Sequence, residues 1–194
     1  MRRILALIFV VGLMAGFCSI AASQDRPHIE ELFAQFEKDG PQPAAYSELK
    51  TLAQGDPDSR QYIVERLPTL LHGSDDKPSL WMVAVRLAGD LKVAEAAPIL
   101  AEQLEYDHRV ATSFGADSIL SDDPVAWSLS LIGGPATDSV AALFADGDAP
   151  TRRRAAIVLW NIGTPNAREA LLRQIDREPD PDLKTFMQSK VTSE

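Results

Sequence analysis

The stretch from Val158 to Asp180, VLWNIGTPNAREALLRQIDREPD, decides the fold. Ala155, Leu159 and Ile162 fall at i, i+4 and i+7, the spacing of one buried face of an α-helix. Gly163 interrupts that pattern where the chain can turn left-handed at low cost. Thr164 then offers a side-chain oxygen to cap a new helix, and Pro165 stands at its first position, where a backbone N–H would have no intrahelical partner. Ala167, Leu171 and Ile175 give the second helix its own apolar stripe. Two amphipathic helices joined by so tight a turn fold back antiparallel. Neither buries its stripe alone, so each pair needs neighbours on both sides.

The same design recurs along the chain. LKVAEAAPIL, Leu91 to Leu100, lies in register with IGTPNAREAL, Ile162 to Leu171, matching Ala96 with Ala167 and Leu100 with Leu171. Each follows an Ala-rich helical run: Ala84, Val85, Leu87 and Ala88 in one, Ala155, Ala156, Val158 and Leu159 in the other. Val125, Ala126, Leu129 and Ile132, ahead of Gly133, Gly134 and Pro135, make a third copy between them. Ile132 and Ile162 are 30 residues apart, a step that two short helices fill in a helical repeat array. Asp56-Pro57, Asp123-Pro124 and Asp180-Pro181 repeat the pairing of an N-cap residue with a proline at the first helical position. These signals predict helices at about 27–38, 42–53, 57–71, 78–90, 94–105, 123–132, 136–145, 149–162, 165–177 and 181–190, with a kink at Pro68. No segment alternates with period two for long enough to predict a sheet.

RRAAIVLWNIGTPNAREALLRQI, VAVRLAGDLKVAEAAPILAEQL and VAWSLSLIGGPATDSVAALF together resemble the HEAT-repeat family, in particular the short bacterial HEAT-like repeats related to bilin-lyase repeats. The resemblance covers about residues 78–178 and extends to Pro43 by pattern. It departs from the family at Trp160, where a small residue is usual, at Lys92, which replaces the turn glycine, and in an insertion that stretches Leu91 to Ile132 to 41 residues. The resemblance implies an all-α chain, an α-solenoid or HEAT-like superhelix of about four antiparallel helix pairs. That domain would span 43–178, after an N-terminal helix and linker (24–42) and before a C-terminal helix or tail (179–194). It also implies a non-enzymatic scaffold or adaptor without a cofactor, whose second helices line a concave groove. On that face Glu95, Glu102 and Glu105 stack with Asn166, Glu169 and Arg173, with Asp138 between. The face is mostly acidic and is expected to take a basic or polar protein segment, although charge on a helix also serves plain solvation.

The insertion, LEYDHRVATSFGADSILSDD from Leu104 to Asp123, is the place for something specific, because insertions in repeat arrays form loops along one rim. Tyr106, His108 and Arg109 there are candidate partner contacts. An enzyme or a metal-dependent site in the insertion is the alternative. Ser113, His108 and Asp117 could be drawn as a triad, but no GxSxG turn accompanies them. The carboxylates with His108 lack any spaced ligand pair such as HExxH, and a solvated loop is the simpler reading. Trp81, Trp127 and Trp160 lie ten, five and two residues before Leu91, Ile132 and Ile162. They form no ladder, and core or inter-repeat packing is expected of them. His28 and His72 stand alone near helix ends.

The 194 residues carry a formal net charge of −9, or −11 once Arg2 and Arg3 are set aside. Phosphate backbones are poor partners for such a surface, since their affinity comes from Lys and Arg displacing condensed counterions. Arg2 and Arg3, the apolar run Ile4 to Phe17, and the small residues Ser19, Ala21, Ala22 and Ser23 have the layout of a secretory signal peptide (1–23). Cleavage is expected after Ser23, retention as an anchor being the other reading. The expected location is therefore exported, periplasmic or extracellular, with no membrane contact after cleavage. Removing the segment also removes Cys18, the only cysteine, so stability must come from packing rather than disulfides.

Overall fold

The computed structural model describes residues 25–73, 77–104 and 123–192. The signal-peptide region, most of the insertion and the final two residues lie outside them. Among the described residues there are ten α-helices: α1 (Arg26–Asp39), α2 (Pro43–Gly55), α3 (Pro57–Leu71), α4 (Pro78–Asp90), α5 (Ala97–Gln103), α6 (Pro124–Ile132), α7 (Thr137–Asp146), α8 (Ala149–Ile162), α9 (Pro165–Arg177) and α10 (Pro181–Thr192). Single 3-10 turns at Ala94–Ala96 and Gly134–Ala136 lead into α5 and α7. The bounds of α3, α4, α8 and α9 coincide with those read from the periodicity. Helix α3 runs through Pro68, one turn short of its end.

The starts of the helices are fixed locally. Asp56, Asp123, Asp148 and Thr164 each accept a backbone N–H from the first turn that follows, and a proline stands in that turn. Each satisfies a donor that the helix itself cannot. The turns after α4, α6 and α8 share one backbone property, a positive φ at the residue that closes the first helix: 53° at Lys92, 78° at Gly133 and 65° at Gly163. At Lys92 the closure is a Schellman arrangement, with Val93 N–H on the Ala88 carbonyl and Lys92 N–H on the Gly89 carbonyl. A side chain in that conformation is strained by the contact of its Cβ with backbone oxygen.

Helices pack in two rows that follow chain order. In one, α4 touches α6, α6 touches α8 and α8 touches α10; in the other, α3, α5, α7 and α9 do the same. Helix α1 packs on α2, α3 and α4. The tight turn at Gly163 brings α8 and α9 together as expected, whereas the short α5 rests mainly on α6 and α7 of the next pair. A continuous core runs from Ile29, Leu32, Phe33 and Phe36 through Leu67, Leu87, Leu100 and Leu129 to Leu159 and Ala170. A smaller cluster of Ala156, Leu171, Ile175, Leu183 and Met187 lies where α10 covers α8 and α9.

Helix α4 lies close on α6. A Cβ on Gly89 would stand 2.8 Å from the Ser128 Cα, and the Ser128 hydroxyl donates to the Val85 carbonyl at 2.7 Å. Of the three tryptophans, Trp81 is buried and Trp160 packs against the smaller cluster. Trp127 departs from the expected interior packing and is 48% exposed. It lies midway between Val125 and Leu129, which face the core, and two residues along a helix turn a side chain about 200° away.

Two outcomes follow. Gly89→Ala is expected to destabilise the chain by about 2 kcal/mol through overpacking against α6, read as a fall in melting temperature. Lys92→Gly is expected to stabilise it by about 1 kcal/mol by relieving the left-handed strain, read as a rise of about 2–4 °C.

Candidate functional site

The side chains expected to meet a partner are carried by the row α5, α7 and α9. Glu95, in the 3-10 turn before α5, together with Glu102, Asp138, Glu169 and Arg173, is exposed. Glu102 and Asp138 make no hydrogen bond or ion pair among the described residues. Glu169 pairs with Arg173 at 2.5 Å across one helical turn. Glu95 lies on an open cleft of about 390 Å³ beside Arg60 and Lys92. Glu105, Tyr106, His108 and Arg109 lie outside the described residues, as do Ser113, Asp117, Ser118 and Asp122. Asp123 is described and buried, its Oδ1 accepting from the Val125 and Ala126 N–H groups as the cap of α6.

Arg173 has a second setting that its sequence neighbours did not suggest. With Arg152 and Arg177 it lines a cleft of about 440 Å³ between α7, α8 and α9, beside Phe144, Ala170 and Gln174. Sequence reasoning passed over Arg152 and Arg177, although Arg173 and Arg177 are one turn apart and thus share a face.

Behind this cleft is a polar network built around one buried carboxylate. The Glu178 side chain is wholly buried and takes a fork of two hydrogen bonds from Arg152, Nε to Oε2 at 3.0 Å and Nη2 to Oε1 at 2.6 Å. Gln174 Nε2 donates to the same carboxylate at 2.9 Å and the Asp180 N–H at 3.1 Å. The remaining guanidinium nitrogen of Arg152 donates to the Gly147 carbonyl. Burial opposes the charge on Glu178, but the bonds from Arg152, Gln174 and Asp180 outweigh it and hold the carboxyl below the ordinary glutamate value. The hydrogen bond to Glu178 in turn raises the Arg152 pKa.

Elsewhere the polar contacts tie helices together. Gln103 accepts from Trp81 Nε1 at 3.0 Å and donates to the Leu71 carbonyl at 2.6 Å. Tyr46 and Lys50 of α2 both meet Asp90 of α4. His28 bonds Glu48 at 2.7 Å, which raises its pKa. Among the described residues no three His, Cys, Asp or Glu side chains are grouped so as to hold a metal ion, and no helix is long and apolar enough to cross a membrane. No protein-family model matches the chain, nor does any curated protein or solved structure.

Because the Glu178 pKa is depressed by folding, the clasp contributes stability above the unfolded glutamate value of about 4.3. That contribution is lost as pH falls through the lower folded value. Glu178→Gln is expected to cost about 3 kcal/mol at neutral pH, since it leaves Arg152 largely buried without its counter-charge. The loss of melting temperature on acidification below about pH 4 should be shallower in the variant.

Proposed function

We propose that residues 43–178 form an α-solenoid of the HEAT type, and that the chain is a non-enzymatic scaffold or adaptor which binds another protein or peptide after export to the periplasm or the extracellular space. The observation that carries this reading is the packing of the helices in two chain-ordered rows, with a positive-φ turn closing the first helix of three successive pairs. A stack of that kind buries the inner stripes and leaves the outer side of the second helices open along its length. Glu102 and Asp138 are exposed there without partners among the described residues. Carboxylates already solvated and uncommitted meet a basic segment with little rearrangement of the protein, so affinity is not spent on ordering it. Their attraction to such a segment weakens as salt rises. The alternative, an enzyme or metal-dependent protein with its site at 104–123, falls almost wholly outside the described residues.

The test uses the full chain, tagged and recovered from the exported fraction, alongside the double variant Glu102→Lys, Asp138→Lys. Both positions are exposed, so melting is expected to move by no more than about 0.5 kcal/mol in stability for each. A partner that copurifies with the parent should be lost from the variant. Equal recovery from both would overturn the assignment of this face.

A further inference from the structure

The cleft between α7, α8 and α9 has a sign opposite to the rest of the chain. Three arginines, Arg152, Arg173 and Arg177, and one amide, Gln174, supply its polar lining, over Phe144 and Ala170. Among the described residues no carboxylate lines it, in a chain with 28 acidic and 19 basic residues. Glu178, its side chain fully buried, pairs with Arg152 from behind and offsets that one charge, which leaves Arg173 and Arg177 as the cations to be matched. Among the described residues Arg173 is held by Glu169 alone, in a pair whose side chains are 56% and 67% exposed. Such a pair is worth little in water and exchanges readily for a better one. Arg177 has no hydrogen bond or ion pair among the described residues. Two guanidinium groups one helical turn apart repel each other unless an anion lies between them.

We infer that this cleft binds an acidic peptide segment, one that carries an apolar side chain next to a carboxylate. Arg177 and Arg173 offer planar forks that match a carboxylate in two parallel hydrogen bonds, which a lysine cannot do. The adjacent apolar side chain lies over Phe144 and Ala170 while Gln174 remains tied to Glu178. The inference rests on the chain being an interaction module, and it assigns this end a partner charge opposite to that drawn by Glu102 and Asp138.

Titration calorimetry on the full chain tests it with a capped pentapeptide, glycine–glutamate–phenylalanine–glutamate–glycine, its glutamine isostere and its lysine counterpart. The acidic peptide is expected to bind saturably, at least about tenfold more tightly than the isostere, and to weaken as salt is raised. Arg173→Ala with Arg177→Ala should reduce its affinity at least about tenfold at an unchanged melting temperature, because both side chains are exposed and Arg152 is left intact. Should the double variant melt lower, Arg177→Gln alone carries the comparison. No saturable binding at millimolar peptide, equal affinity for the glutamine isostere, or full affinity in the variants would each overturn the inference. Binding of the lysine counterpart alone, lost in Glu102→Lys, Asp138→Lys, would overturn it too and leave the scaffold reading standing. Binding of the acidic peptide at the arginines with no partner lost from the Glu102 and Asp138 variant would sink the assigned face instead.

Discussion

The fold hangs on the crossing of α4 and α6, where two helix backbones approach without side chains to separate them. Gly89 makes the approach possible, and Ser128 turns it into a bond by donating to the Val85 carbonyl. Residues 105–122 separate α5 from α6 in the chain, so helices before and after them are joined through space. The α4–α6 crossing does most of that joining, with α5 on α6 and α7 beside it. Gly89 on one side and the small Ser128 on the other keep the helices close, and interiors packed to this density have no room for a methyl group more.

Helix ends in this chain are handled in two different ways. The starts of α3, α6, α8, α9 and α10 are capped from within the sequence, by an aspartate or threonine with a proline in the turn that follows. Three ends, those of α3, α4 and α5, borrow a side chain from elsewhere. The Leu71 carbonyl accepts from Gln103, the Leu91 carbonyl from Arg60 at 2.7 Å, and the Leu104 carbonyl from Arg154 at 2.7 Å. Carbonyls at a helix C-terminus carry partial negative charge, so the two guanidinium groups suit it in sign as well as in geometry. Each of these bonds also crosses between helices of the stack, and thus a local need of the backbone becomes a tie between elements.

That difference explains what was legible in the sequence. Caps, prolines and the 3.6-residue period are local, and from them the helices were read with bounds that α3, α4, α8 and α9 reproduce. Lys92 stands out in the turn glycine's place, but its positive φ is a finding of the structure. The side chains that close helix ends lie 31 to 50 residues from the carbonyls they serve, and no period points to them. The same limit applied to the candidate surface. Glu95, Glu102, Asp138 and Glu169 were rightly placed in water, since they sit opposite buried stripes. Which charges become neighbours depends on how successive helices are offset. Arg173 therefore appeared to belong to an acidic column, while space sets it beside Arg152 and Arg177. Trp127 was misjudged by residue type, although its distance from Val125 and Leu129 already turned it outward.

The cationic cleft owes its shape to a residue that does not line it. Glu178 binds Arg152 through two nitrogens and Gln174 through a third donor, fixing two of the side chains that face the cleft from two different helices. A buried carboxylate that only offset charge would gain little over an apolar substitute. One that also orders two neighbouring side chains lowers the entropy a ligand must otherwise remove on binding. Arg177 and Arg173, not held in this way, keep the freedom to close on what enters. The cleft thus joins a fixed wall to two adjustable guanidinium groups, and its polarity is set locally because charges further off than about 10 Å are screened in salt solution.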